Sequence, residues 1–236
     1  EVALNAVRCE ASTLNAALLM EEKFGVPYFT LGMAPLGIDT VQNWVMNIAA
    51  RLGKEEEAKR LVEVEVEKAE KRIKEAKSLL AGKRVAVYGG PGHSVAVFKF
   101  CAELGMAPII ASSLMADRGA IQSFKNIACR KNLRAPEILS GEEYEACAEA
   151  LRRLNPDLVI GGSPERMLSH KLGLNFLHIM RYEEPWYGFN GAVKFVRDLC
   201  RVLKLPERVD VPPEIATGRA AVYGADHPVW RWQRRG

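Results

Sequence analysis

Between residues 83 and 185, short apolar runs alternate with longer stretches of helical spacing. No other feature restricts the fold as much. Arg84–Tyr88, Ala107–Ala111, Glu137–Leu139, Asp157–Ile160 and Phe176–Met180 read as strands. Helices are expected over Ser94–Leu104, Ala120–Lys131, Glu142–Leu154 and Glu165–Leu172. Strands separated by whole helices join as parallel βαβ units with right-handed crossovers. The expected class is α/β, with a complete Rossmann-like, doubly wound parallel-sheet domain at 83–185.

The flanking regions read differently. Residues 1–53 predict a strand at Val2–Val7, then a helix capped by Ser12 and stopped by Gly25. A second strand at Val26–Leu31, a Gly/Pro loop at Gly32–Gly37 and a helix from Asp39 or Thr40 to Leu52 follow. Two strands and two helices make a poor core of their own, so this piece is part of a second α/β unit. Residues 54–82 are dense in Glu and Lys with a thin apolar stripe (Leu61, Val62, Val66, Ile73, Leu79, Leu80). They read as a charged linking helix with a solvated surface. Residues 186–205 hold an aromatic loop and a helix over Ala192–Leu203, and 206–236 form a Pro-punctuated extended tail. The chain begins at Glu1, which suggests a processed or truncated piece.

Charge and cysteine usage exclude several classes. The 33 Lys and Arg against 29 Asp and Glu leave a net charge of +4, too balanced to argue for nucleic acid. No apolar run is long enough for a membrane span, and no secretory leader is visible. The five cysteines (9, 101, 129, 147, 200) are scattered without a CxxC pair. That argues against a disulfide scaffold and for a reducing, cytoplasmic compartment.

In open α/β sheets, ligands bind beyond the carboxyl ends of the strands, which directs attention to four places. Cys9, between a strand and a helix start and beside Arg8, has the surroundings that stabilise a thiolate and suit it to a metal. It is equally a small buried apolar residue by type. The other four cysteines fall inside expected helices and read as core or helix-face residues. Gly89-Gly90-Pro91-Gly92 is either a tight βα turn or a cradle for an anion, and it lacks the GxGxxG and GK[ST] signatures. His93 reads as a capping or packing residue. Gly161-Gly162-Ser163 is a similar turn, with Ser163 as helix cap. His178, in the last strand, is a core histidine or a metal ligand. The aromatic run Trp186-Tyr187-Gly188-Phe189 suits either a loop over a bulky ligand or a subunit contact.

Longer stretches carry a family resemblance. Leu4-Asn5-Ala6-Val7-Arg8-Cys9-Glu10-Ala11-Ser12 and Met20-Glu21-Glu22-Lys23-Phe24-Gly25-Val26-Pro27-Tyr28 resemble the nitrogenase component 1 family. They are most like its molybdenum–iron alpha subunit and its assembly-scaffold relative. Leu36–Thr40 and Gly82–Gly89 resemble the beta-subunit branch. Asn155–Gly161 resembles the PDL(I/V)IG strand of the whole family, and Pro185–Gly191 its P-Y-H-G-(F/Y)-(D/E)-G loop. The similarity covers about residues 3–203 and corresponds to the last part of a component 1 subunit.

The resemblance implies an iron–sulfur cluster, a nitrogenase-type cofactor or a cofactor precursor, with Cys9 on the position that ligates terminal iron. His178 stands seven residues before Pro185, as the molybdenum-ligating histidine does in the alpha subunit. Gly89, Gly90, Gly161, Ser163 and Tyr187 fall in the segments that would line such a group. Implied partners are a homologous component 1-type subunit, in a homo- or hetero-oligomer, and a nucleotide-dependent reductase. Three cations of the catalytic subunit are replaced here, by Pro91-Gly92-His93, Pro164 and Ala11. A multiply charged cofactor needs such cations. The chain therefore fits a scaffold or a reductase of another substrate better than a dinitrogen-reducing subunit, and catalysis is not expected from it alone. Two other readings stay open: a module binding a nucleotide or small anion at Gly89–Gly92, and a non-catalytic interaction subunit using the aromatic loop and tail.

Overall fold

The computed structural model describes residues 2–113, 118–139, 144–179, 186–206, 208 and 209. The expected tail, the end of the last strand at Met180, the start of the helix expected at Glu142 and the segment 181–185 lie outside them. Two short parallel strands come first, β1 (Asn5–Val7) and β2 (Tyr28–Thr30), connected by α1 (Glu10–Phe24). Cys9, not Ser12, is the N-cap of α1. The Cys9 carbonyl already accepts from the N–H groups of Ser12 and Thr13, so the helix is under way before Ser12 is reached. Gly25, at φ 66°, ends it in the left-handed conformation.

α2 (Ile38–Leu52) starts directly after Gly37, which puts Asp39 and Thr40 inside the helix instead of at its cap. α3 (Glu55–Leu80) is one unbroken helix. It is not merely a solvated link. Ala58, Val62, Ala69, Ile73, Ala76 and Leu80 form a buried stripe at spacings of three, four and seven. The stripe faces α2 and the C-terminal helix, and its small alanines let those helices approach. Leu61, expected in the stripe, is exposed.

The main sheet contains β3 (Arg84–Val87), β4 (Ala107–Ser112), β5 (Glu137–Leu139), β6 (Leu158–Gly161) and β7 (Phe176–His178), all parallel, in the order β5-β4-β3-β6-β7. This is the doubly wound arrangement the alternation predicts. One face carries α3, α4 (Pro91–Glu103), α5 (Arg118–Arg130) and α8 (Gly188–Val202). The other carries α6 (Tyr144–Leu154) and α7 (Ser163–Leu172). Along β3 the pleat sends Val85 and Val87 into the first core and Ala86 and Tyr88 into the second.

α4 and α8 also begin earlier than expected. α4 starts at Pro91 instead of Ser94, and α8 at Gly188 instead of Ala192. Proline at the first helical position has no N–H to leave unpaired, so the glycine-rich segment can enter a helix at once. The segments read as a glycine turn and an aromatic loop are thus largely the first turns of helices. The point where the strand order reverses lies between β3 and β6, and Gly89-Gly90 and Gly161-Gly162 stand at its rim.

Candidate functional site

The site is built where the first turn of α4 meets the end of β1. An added Cβ at Gly92 would sit 3.0 Å from the Arg8 carbonyl oxygen and 3.3 Å from Cys9 Cβ. Glycine therefore lets α4 approach this closely. The Gly92 carbonyl in turn accepts from Ala34 N–H at 2.8 Å, which ties the Gly/Pro loop to the same spot.

That approach changes the Cys9 thiol. Partial burial pushes it up. The Ser12 hydroxyl and the backbone N–H groups of Gly92, Ser12 and Ala11 outweigh burial and hold it below its ordinary value. The first turns of α1 and α4 thus both lie against Cys9, and their helix dipoles favour a negative charge there. Cys9 also lines a cleft of about 270 Å³ walled by Asn5, Arg8, Ser12 and Met20.

Three more side chains meet beside it. Tyr187 is the N-cap of α8. The Arg8 guanidinium lies over the Tyr187 ring, 5.1 Å from its centre. The same phenol is hydrogen-bonded to Nε2 of His93, and the two rings are 5.9 Å apart. Burial, reinforced by the Arg8 charge, pushes His93 below the ordinary histidine value, so the imidazole is neutral at pH 7. Burial raises Tyr187 by more than Arg8 lowers it, so the phenol keeps its proton.

The remaining sequence-predicted residues lie elsewhere. His178, at the end of β7, lines a different cleft, of about 510 Å³, with Arg166, His170, Trp186 and Arg201. Gly89 and Gly90 shape the turn that delivers Gly92 to Cys9. Two N–H groups at this turn are engaged within it: those of His93 and Ser94 donate to the Gly90 carbonyl.

At α7, Ser163 is the first helical residue and exposed, while Gly162 is the N-cap. The Gly162 N–H is taken by Glu165 Oε2 at 2.7 Å. A Cβ at Gly161 would meet the Glu165 side chain at 2.9 Å, so that glycine makes room for the carboxylate. A resident negative charge occupies the place an incoming anion would need.

Among the described residues no three His, Cys, Asp or Glu side chains are gathered for a metal ion. Cys101, Cys147 and Cys200 are buried in helices, and Cys129 is exposed on α5. His93 is the site residue that sequence reasoning missed. The sequence alone reads it as a capping or packing residue; its position two residues after a proline that can open a helix puts it in the first turn of α4.

A Rossmann-like α/β protein with an activated thiol at the meeting of two βα turns is the class that fold and site define. The chain belongs to the nitrogenase component 1 type oxidoreductase family, whose pattern matches residues 1–204. It is 30% identical over 206 residues to the nitrogenase molybdenum–iron protein alpha chain of Methanothermobacter marburgensis, covering 86% of this chain and 42% of that one. It is 26% identical over 208 residues to the nitrogenase iron–molybdenum cofactor biosynthesis protein NifE of Clostridium pasteurianum, covering 86% of this chain and 44% of the relative. A solved structure described as nitrogenase Cp1 at pH 6.5 superposes with a TM-score of 0.75 at 20% identity, over 85% of this chain and 44% of the other. The chain spans less than half the length of these proteins. No helix among the described residues is long and apolar enough to cross a membrane.

Proposed function

We propose that this chain holds an iron–sulfur metallocluster, or a precursor of a nitrogenase-type cofactor, on the Cys9 thiolate. The observation that carries this reading is the placement of Cys9 at the N-cap of α1 with the first turn of α4 packed against it, an added Cβ at Gly92 lying only 3.3 Å from Cys9 Cβ. The donor set fits such a group: a thiol already biased toward its anion, an Arg beside it, and neutral donors around it. Family membership and the names of the relatives, a molybdenum–iron alpha chain and a cofactor biosynthesis protein, point the same way.

Each residue has a definite task on this reading. Cys9 is the ligand. Gly92, Ser12 and Ala11 stabilise its charge. Arg8 offsets the negative charge of the bound group, and Tyr187 holds the guanidinium in place. When bound, an iron–sulfur group supplies electron storage. The cations replaced by Ala11, Pro164 and Pro91-Gly92-His93 favour a scaffold or a reductase of another substrate over dinitrogen reduction. A homologous component 1-type subunit is the partner in this proposal, with a nucleotide-dependent reductase as electron donor.

The test is anaerobic reconstitution with iron and sulfide, followed by visible absorbance and iron counting, on the wild type and Cys9→Ala. The expected result is iron uptake in the wild type and its loss in the variant, with unchanged circular dichroism. Equal uptake by both proteins overturns the role of Cys9.

A further inference from the structure

We propose that the free edge of β7 is a docking site for an extended, acidic segment of a partner polypeptide, which adds to the main sheet as a further strand. The proposal does not depend on the Cys9 reading. β7 is a border strand, paired only with β6 among the described residues. Two hydrogen bonds fix which way its backbone faces. The Asn175 carbonyl accepts from Val159 N–H, and the Ile179 N–H donates to the Gly161 carbonyl, both at 2.9 Å. Alternate residues of a strand turn their polar groups to the same side, so Asn175, Leu177 and Ile179 face β6. The N–H and C=O groups of Phe176 and His178 therefore point outward. Such edge groups are a template for another chain.

A cleft of about 510 Å³ runs along that edge, lined by Phe176, Leu177 and His178 together. Successive side chains of a strand point to opposite faces, so a cleft that touches all three lies at the border of the sheet. Its two walls differ. α7 contributes Arg166 and His170, both exposed, and Arg166 pairs with no carboxylate among the described residues. On the side of α8, Leu177, Trp186 and Val202 belong to the first core or pack against it, and Arg201 stands beside Val202. Asp198 also lines the cleft, but its Oδ2 already accepts from Lys194 Nζ at 2.7 Å and Trp186 Nε1 at 2.9 Å. An entering strand thus meets cationic groups on one face and mainly apolar ones on the other. The segment that fits alternates acidic and apolar residues, with its carboxylates turned to α7.

Other occupants fit less well. Pairing β7 with the β7 of a second copy would bring Arg166 and Arg201 of both copies into one groove. The chain's own continuation after α8 meets a topological obstacle. In this sheet the step outward from β6 to β7 carries its helix, α7, on the face of the second core, whereas α8 lies on the other face. A strand placed outside β7 after α8 would need a left-handed crossover. The chain leaving α8 is instead directed to α3, where Arg208 Nη1 lies 3.4 Å from Glu75 Oε2. Two outward-facing residues offer few backbone bonds, so the association should be weak and sensitive to salt.

The test is fluorescence anisotropy of the full chain with a labelled peptide of alternating glutamate and valine, read beside hydrogen–deuterium exchange. The peptide should bind, less tightly as salt is raised, and its lysine–valine counterpart should not. Methylating the backbone nitrogens of either the glutamates or the valines keeps the charge. One of these two peptides, the one methylated on the side turned to β7, should lose binding. Arg166→Ala should weaken binding about two- to fivefold, as for one exposed ion pair. Arg60→Ala, on the exposed side of α3, should leave it unchanged. In the free protein the amides of Phe176 and His178 should exchange faster than that of Leu177, and the peptide should slow both.

No binding at millimolar peptide overturns the proposal. Unchanged binding of both methylated peptides overturns it in favour of a charged patch without strand pairing. Displacement of the peptide by an equal concentration of free glutamate overturns it in favour of a small-anion site. Amides of Phe176 and His178 already protected in the free chain would show the edge covered, by a second copy if light scattering gives twice the mass and by the chain itself if it does not.

Discussion

α1 and α4 both leave the carboxyl end of a parallel strand, and both contribute to the same site, but they are held very differently. α4 buries nine of its 13 residues, chiefly between the sheet and α5. α1 has 15 residues and buries only Ala17. Its Leu18 and Leu19 are close to half exposed, and Phe24 is 73% exposed. The strands repeat the contrast. All four residues of β6 are buried, whereas β1 and β2 each bury one of three. The ligand candidate Cys9 therefore belongs to the loosely packed unit, while Gly92, which packs against it, belongs to the tightly packed one. The contrast suggests that the packed domain supplies the precision of this site. The thin βαβ unit presents the sulfur, and the first turn of α4 packs against it.

Truncation on each side is the sharpest way to test this difference. Phe195 in α8 is fully buried, with Phe100 and Trp186 rings centred 5.7 and 5.3 Å away. Phe195→Ala should cost about 3–5 kcal/mol in urea unfolding through loss of transfer energy and the cavity left behind. Phe24→Ala should change stability by no more than about 0.5 kcal/mol, as at an exposed site. A comparable loss in both would mean that the exposed face of α1 is covered in solution, and the contrast between the two units would fail.

The seam between the units can be broken at a single glycine. Gly37 has φ 89°, and an added Cβ would lie 2.9 Å from Phe100 Cγ, a ring atom with no room to retreat. Left-handed backbone and overpacking together put Gly37→Ala at about 2–4 kcal/mol of destabilisation. The same measurement checks it. A neutral result would show that the loop before α2 is not pinned to α4 as the structure has it.

How legible each unit was in the sequence follows the same division. The parallel sheet could be read because its strands bury both faces, leaving continuous apolar runs such as Leu158–Ile160 between helices. α3 was read as solvated because half of its buried stripe is alanine, which carries little hydrophobic signal even where it packs. Glycine-rich and aromatic segments look like loops, so the early starts of α4 and α8 were not visible. Cys9 could be singled out by its place between strand and helix. The role of Gly92 could not, because the need for glycine there comes from the Arg8 carbonyl, 84 residues earlier in the chain. His93 stayed hidden for a similar reason: its partner Tyr187 comes from another helix and is brought near only by the fold.

The smallest expected effect probes the same seam through protons. His93 is held below its unfolded value of 6.5, chiefly by burial and secondarily by Arg8. As pH falls through about 6.5, the unfolded chain takes up a proton that the folded imidazole refuses, so stability declines. The decline should level off once the folded histidine also titrates. Thermal unfolding at pH 7.5 and 5.5 should therefore show a loss of Tm on acidification in the wild type and a smaller loss in His93→Gln. Carboxylates and the other histidines are common to both proteins, so they cancel when the two slopes are compared. Equal slopes would mean that the imidazole is free to protonate in the folded state. The Tyr187 hydrogen bond to Nε2 would then be too weak to hold the ring neutral, and the clamp between the two units would be looser than the geometry of Arg8, Tyr187 and His93 requires.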